Sequence, residues 1–167
     1  RLNQENLRLL SNILPAPIIT RLQKGEELIV DKIPEMSVLF ADLVGFTKMS
    51  TELTPQALLT ILNEIFSTFD NLAERYGLEK IKTIGDAYMV VGGLSGAKDH
   101  LSRIVKLGFE MNRGIEAYNQ IHVDGPLSLR IGVHVGEGVA GVIGIKKFIY
   151  DVWGDTVNTA SRMESTG

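Results

Sequence analysis

The run Ser37 to Asp42, SVLFAD, is a short apolar stretch that ends in a carboxylate, a pattern typical of a buried β-strand. Gly45 interrupts the run. Thr54 and Pro55 then provide an N-cap and a first helical position, and apolar residues at helical spacing follow as far as Gly77. The sequence therefore predicts a strand followed by a long amphipathic helix.

Two β-prone runs follow this helix. They cover 80–84 and 87–91, and the Gly85-Asp86 pair between them suits a tight type II′ turn with Asp86 at its tip. The periodic segment from Asp99 to Asn119 predicts a second long helix.

The last third of the chain predicts further strands and one helix. Residues 127–135 and 139–143 are expected to form a second hairpin that turns at 136–138, followed by a strand over 148–153. Asp155 can cap a final helix that runs through Arg162. The order βαββαβ, with an added hairpin strand and helix, predicts a ferredoxin-like α+β fold.

Upstream of the first strand, residues 1–14 predict an amphipathic helix that ends at Pro15. This helix either packs on its own domain or ends a parallel coiled coil that carries a signal. Residues 18–24 predict a second short helix, and residues 26–34 a linker. We expect a helical segment and linker over 1–34 and a catalytic domain over 35–167.

Composition excludes several classes of protein. The 167 residues are 44% apolar, carry a net charge of −3 and include no cysteine, so neither a disulfide scaffold nor a basic nucleic-acid-binding surface is expected. No apolar run approaches the roughly 20 residues that span a bilayer. The lack of cysteine fits a reducing compartment, so we expect the catalytic domain to be cytoplasmic. Because the sequence starts at Arg1, we expect a fragment of a longer protein, which leaves open whether a membrane or sensor region lies upstream.

Two carboxylates are expected to meet at one edge of the sheet. A right-handed crossover makes the second strand parallel to the first, so Asp42 and Asp86 should converge. Paired carboxylates suit hard divalent cations that also bind phosphates. Equally, Asp42 could cap the following turn and Asp86 could simply favour the hairpin.

The junction after the first strand offers backbone donors. Val44, Gly45, Phe46 and Thr47 lead into a short helical start over 47–52, and N–H groups at such a junction can hold phosphate oxygens.

Three segments in this order resemble the signature blocks of class III nucleotidyl cyclases, and of adenylate cyclases in particular. They are FADLVGFT over 40–47, KIKTIGDAYM over 80–89 and YDVWGDTVNTASRM over 150–163. The resemblance covers about residues 36 to 165. It implies that ATP is converted to cyclic AMP and pyrophosphate.

The resemblance also implies roles for individual residues. Asp42 and Asp86 would coordinate two Mg²⁺ or Mn²⁺ ions, which activate the ribose 3′-hydroxyl and bind the triphosphate. Asn158 and Arg162 lie four residues apart on one face of the last helix. In the family the Asn orients the ribose and the Arg stabilises charge on the α-phosphate.

Base choice can be argued from hydrogen-bonding patterns. Adenine presents an acceptor at N1 and a donor at N6, which suits Lys82 as the donor and Asp151 as the acceptor. Guanine presents the opposite pattern, and guanylate-specific relatives have Glu where Lys82 stands. ATP is therefore favoured over GTP.

In this family one subunit supplies the metal carboxylates and the other supplies the base-binding residues with the Asn and Arg. Because this chain carries both sets, the resemblance implies a homodimer with two shared sites. The glycine-rich hairpin over 132–144 is either an element of that interface or an ordinary well-packed hairpin. The family also continues past the position of Gly167 to a lysine that binds triphosphate. Guanylate cyclase and a non-catalytic nucleotide-binding module remain the alternatives.

Overall fold

The computed structural model describes residues 4–26, 28–122, 125–143 and 149–166. Its strands form one antiparallel sheet in the order β2-β3-β1-β4-β5, which confirms the predicted α+β fold. The strands are β1 (Val30–Val44), β2 (Glu79–Ile84), β3 (Ala87–Gly92), β4 (Ser128–Ile143) and β5 (Ile149–Trp153). The helices are α1 (Gln4–Leu10), α2 (Ala16–Gln23), α3 (Phe46–Ser50), α4 (Pro55–Arg75), α5 (His100–Ile121) and α6 (Asp155–Thr166).

The sheet has helices on both faces because its central strand is apolar on both sides. Leu39, Ala41 and Leu43 of β1 pack in one buried cluster with α4 and α5. Val38 and Phe40 point the other way, into a second cluster with residues of α2, β5 and α6. The long apolar run in the sequence is explained by this double burial.

Helix α4 has the boundaries that its sequence predicts. The Thr54 side chain accepts a hydrogen bond from the backbone N–H of Ala57 at 3.2 Å, and Pro55 occupies the first helical position. Phe69 of α4 packs edge-on against the buried Tyr88 ring of β3, with 5.3 Å between ring centroids. No helix in the described part of the chain is both long and apolar enough to cross a membrane.

The β2–β3 hairpin also matches its prediction. Gly85 has φ +60°, and no residue other than glycine has a positive φ among those described. A positive φ at the first loop residue alone is the pattern of a type II′ turn. Asp86 therefore lies at the tip, as expected.

The predicted hairpin turn at 136–138 is wrong, because β4 continues through it as one strand of 16 residues. Gly136 and Gly138 instead lie where neighbouring side chains pack closely against the strand. A Cβ on Gly136 would lie 2.3 Å from Thr156 Oγ1, and one on Gly138 would lie 2.5 Å from Met36 Cε. The glycine-rich pattern reflects neighbours that press on the strand, which local sequence does not distinguish from a turn.

The predicted linker over 26–34 is also wrong in its second half, because β1 already begins at Val30. Residues 30–33 pair with 138–141 of β4, and the register then shifts between Ile33 and Met36, next to Pro34. A proline is tolerated there because a bulge leaves its position out of the hydrogen-bonding ladder. Residues 1–3 and Phe148, which fall in other predicted elements, lie outside the described residues.

Candidate active site

Asp42 and Asp86 meet at the same edge of the sheet. β1 and β2 both run antiparallel to β3, which lies between them, so they point in one direction, and Asp42 stands opposite Ala87, the neighbour of Asp86. Burial raises the pKa of Asp86, and the charge of Asp42 and a hydrogen bond between the two carboxyl groups raise it further. The structure thus forms a close pair of acidic groups from residues 44 positions apart in sequence.

Arg130 and Glu164 are two members of this site that the sequence analysis did not find. Arg130 stands opposite Asp42 on β4, and its Nη2 donates to Asp42 Oδ2 at 3.2 Å. Its Nε donates to Glu164 Oε2 on α6 at 3.1 Å. Neither residue falls in a block with an obvious chemical pattern, and only the pairing of β4 with β1 places them beside Asp42.

This cluster fits a hard divalent cation. The negative charge of Asp42 helps to raise the pKa of Asp86, so the site lacks positive charge. Arg130 supplies only one positive charge, which it shares with Glu164. No group of three acidic or imidazole side chains in metal-binding geometry exists among the described residues. Magnesium and manganese commonly bind one or two carboxylates and take their remaining ligands from water and substrate phosphates. Asp42 and Asp86 match that pattern.

The junction after β1 turns sharply at Gly45. This residue has φ +96° and is the N-cap of α3, and a Cβ there would lie 3.3 Å from the Pro126 carbonyl oxygen. Glycine adopts this positive φ without steric cost, and it has no Cβ to approach the carbonyl oxygen. Val44, Phe46 and Thr47 flank it within two residues, so α3 begins four residues after Asp42 along the chain. The first N–H groups of a helix have no partner within the helix.

Lys82 and Asp151 form the second pair predicted from the sequence. Lys82 Nζ donates to Asp151 Oδ2 at 2.7 Å, and the two side chains are 40% and 10% exposed. Asp151 Oδ1 accepts a further bond from the backbone N–H of Val152 at 2.8 Å. The pair joins β2 and β5, the two outer strands of the sheet, and offers a donor and an acceptor side by side.

A β-bulge at Ile81 decides which way Lys82 points. Lys80 stands opposite Val90, but Lys82 stands opposite Met89, so two steps along β2 match one step along β3. Val90 and Met89 belong to opposite faces of the sheet. Lys82 therefore faces away from Lys80, which instead contacts Asp70 of α4 at 3.1 Å.

A groove of about 1010 Å³ borders this pair, between the α1–α2 connection, α4, β2 and β5. Tyr150 lines it together with Lys82, and burial raises the pKa of Tyr150 to about 12, with Glu79 the next contributor. Burial also raises the pKa of Glu79 itself. The groove therefore presents a protonated phenol and a partly desolvated carboxyl group near the Lys82–Asp151 pair.

Asn158 and Arg162 lie on the exposed face of α6, as their spacing predicts. Arg162 Nη2 donates to Thr159 Oγ1 of the same helix at 3.1 Å. The opposite face of α6 holds Ala160 and Glu164, which are buried. One helix thus carries an outward polar pair on one side and the Arg130 partner on the other.

The chain was compared with known protein families and with curated proteins. Residues 28–167 match the family described as adenylate and guanylate cyclase catalytic domain. An adenylate cyclase of Mycobacterium tuberculosis is 46% identical over 160 residues, which are 95% of this chain and 36% of that protein. A membrane guanylyl cyclase of Dictyostelium discoideum is 39% identical over 165 residues, which are 98% of this chain and 11% of that protein.

Solved structures give the same result. The adenylyl cyclase CyaB from P. aeruginosa superposes with a TM-score of 0.75 at 32% identity, covering 82% of this chain and 74% of that one. The chain spans little more than a third of the curated relatives' length at most. Both nucleotide specificities occur among the similar proteins.

Proposed function

The chain belongs to the adenylate and guanylate cyclase catalytic-domain family, and we propose that it converts ATP to 3′,5′-cyclic AMP and pyrophosphate. The observation that carries this choice of substrate is the ion pair between Lys82 and Asp151. A lysine ammonium donates to adenine N1, and a carboxylate accepts from the N6 amino group. With guanine, the O6 acceptor would face the Asp151 carboxylate, which is also an acceptor, and the N1–H donor would face the Lys82 ammonium, which is also a donor.

The reaction forms a bond between the ribose 3′-oxygen and the α-phosphorus. The bond from that phosphorus to the bridging oxygen of the β-phosphate breaks, the 3′-hydroxyl proton is released and pyrophosphate leaves. Divalent cations, when bound, lower the pKa of the hydroxyl and neutralise charge on the phosphates. Asp42 and Asp86 are the side chains that would hold them.

The remaining residues orient the nucleotide and stabilise charge. The backbone from Val44 to Thr47, where α3 starts, would receive phosphate oxygens. Asn158 would orient the ribose, and the Arg162 guanidinium would stabilise negative charge as the α-phosphate becomes five-coordinate. Positioning and charge stabilisation together lower the barrier, without a covalent enzyme intermediate.

The two halves of the site are assigned to two copies of the chain. In this proposal one copy contributes Asp42 and Asp86, and the other contributes Lys82, Asp151, Asn158 and Arg162. The exposure of Asn158 and Arg162 on α6 supports the assignment, because polar side chains that act on a substrate across a two-fold interface have to face outward.

The test measures cyclic nucleotide formation from ATP and from GTP with Mn²⁺. The unsubstituted chain is expected to prefer ATP, and Lys82→Glu combined with Asp151→Asn is expected to lower kcat/KM for ATP by about 10²–10⁴-fold because buried polar groups are left unpaired. The same variant should lose less activity with GTP. A chain that prefers GTP before substitution would identify a guanylate cyclase instead.

Asp86→Ala tests whether cyclic product formation depends on the proposed metal ligands. It should abolish cyclic product from either nucleotide while leaving the Lys82–Asp151 pair intact. If the unsubstituted chain binds ATP but releases no cyclic product under any metal condition, the protein is a nucleotide-binding module and the proposed activity is wrong.

A further inference from the structure

Arg130 occupies the place beside Asp42 where a cation would be attracted. Its guanidinium lies 3.2 Å from Asp42 Oδ2 and 3.1 Å from Glu164 Oε2, so it connects a strand of the sheet to α6. Glu164 also contributes to the raised pKa of Asp86. Arg130 is therefore a counter-ion shared between the carboxylate pair and a third acidic residue.

Glu164 is held in a fixed position. Its side chain is 11% exposed, and α6 presses directly on β4, where a Cβ on Gly132 would lie 2.1 Å from the Glu164 backbone nitrogen. A buried carboxylate on a tightly packed helix has little freedom to follow its partner. Arg130 is longer and 37% exposed, so it is the mobile member of the pair.

A divalent cation at Asp42 and a guanidinium on the same carboxylate repel each other. At the few ångströms that separate such groups, the repulsion is large compared with thermal energy unless water screens it. The cation and Arg130 therefore compete for Asp42, whereas Glu164 keeps its attraction for Arg130 in either state.

We propose that Arg130 is an internal counter-ion that neutralises Asp42 until a divalent cation binds, and that Glu164 is the positioning residue that shares Arg130 and retains it when the cation displaces it. Cation binding then breaks the Arg130–Asp42 contact and leaves the Arg130–Glu164 contact. This inference rests on the assignment of Asp42 and Asp86 to the metal in the proposed function.

The test is a double-mutant cycle on Mn²⁺ affinity, measured by electron paramagnetic resonance on the 167-residue chain without nucleotide. Arg130→Gln removes the competitor and should tighten Mn²⁺ binding by about 3–10-fold. Glu164→Gln should weaken it by about the same factor, because Arg130 then gives its whole charge to Asp42. In the Arg130→Gln background, Glu164→Gln should change the affinity by less than about twofold.

Two outcomes would overturn the inference. Weaker Mn²⁺ binding in Arg130→Gln would show that Arg130 organises the carboxylates and does not compete with the cation. An equal effect of Glu164→Gln with and without Arg130 would show that Glu164 contacts the metal itself. Arg130→Met, which keeps the length of the side chain, repeats the test if the Gln variant fails to fold, and Arg130→Lys should stay within about threefold of the unsubstituted chain.

Further variants separate this inference from the proposed function. Glu116→Gln, on the exposed side of α5, makes the same charge change away from the site and should leave Mn²⁺ affinity unchanged. If Asp86→Ala does not weaken Mn²⁺ binding, the metal assignment itself fails. If Asp86→Ala weakens it but the cycle is additive, the metal assignment stands and the proposed action of Glu164 through Arg130 fails.

Discussion

At the scale of single residues, the sequence identifies the chemical groups of the site better than their partners. Lys82 and Asp151 are placed side by side as expected, at 2.7 Å. Arg130 and Glu164 were not anticipated, because an arginine in a strand and a glutamate in a helix are usually exposed surface residues. Their role beside Asp42 depends on which strand lies next to which.

Glu79 gives a prediction on pH dependence. Burial raises the pKa of its carboxyl group above the ordinary 4.5, so the folded protein disfavours the charged form. Glu79→Gln should therefore raise the free energy of unfolding at pH 7 by about 0.5–1 kcal/mol, a range that allows for screening by water. Chemical denaturation at several pH values measures this difference.

The stabilisation expected from Glu79→Gln depends on pH. Below the ordinary pKa of 4.5 the carboxyl is protonated in both the folded and the unfolded chain, so the gain from Glu79→Gln should disappear there. Glu74→Gln, an exposed residue on the same groove, is the matched control and should show no gain at either pH. A gain that persists unchanged at acidic pH would contradict the assignment to a buried charge.

At the scale of elements, the contact of β4 with α6 holds part of the site together. Gly132 stands where α6 crosses the strand, and a Cβ there would lie 2.6 Å from Glu164 Cα and 2.7 Å from the Ala160 carbonyl oxygen. Because these are backbone atoms, the helix would have to move as a whole. Such a movement would shift Glu164 away from Arg130.

Gly132→Ala is therefore expected to lower the free energy of unfolding by about 2 kcal/mol or more, as overpacking against backbone does. Urea denaturation measures the loss, and cyclic nucleotide formation should fall with it. Gly108→Ala is the control, because Gly108 is equally buried in α5 but its added Cβ would meet neighbours only at 3.7 and 3.8 Å. That variant should be neutral or more stable by up to about 1 kcal/mol. Equal effects of the two substitutions would contradict the packing argument.

At the scale of the whole molecule, one chain carries two sets of site residues that are proposed to act in different sites of a dimer. Asp86→Ala and Arg162→Ala should each be inactive alone, since each removes one set from both sites. Mixed in equal amounts, they should recover about a quarter of the original activity, because half of the dimers are mixed and each of these has one intact site. Cyclic AMP formation after mixing measures the recovery.

The control for this experiment is a mixture of Asp86→Ala with Asp42→Ala. Both substitutions remove the same set, so no combination of these chains contains an intact site, and activity should stay absent. Recovery in this control, or no recovery in the first mixture when sedimentation shows that dimers exchange, would contradict the shared-site arrangement.

Local sequence signals were enough to predict the order of helices and strands, apart from the turn expected within β4, and most of the proposed chemistry. Helix α4 was predicted to within two residues because its cap, first-turn proline and terminating glycine are local signals. The convergence of Asp42 and Asp86 also followed from sequence, since the handedness of a crossover between two strands is nearly invariant.

The pairing of the strands, and therefore the contacts of their side chains, could not be predicted from local sequence. The bulge at Ile81 turns Lys82 to the face opposite Lys80, although a regular strand would place them together. The glycines of β4 predicted a turn, but the strand is continuous, and these glycines leave room for α6 and Met36 to pack closely against it. Register and close packing are set by residues distant along the chain, and no local periodicity contains that information.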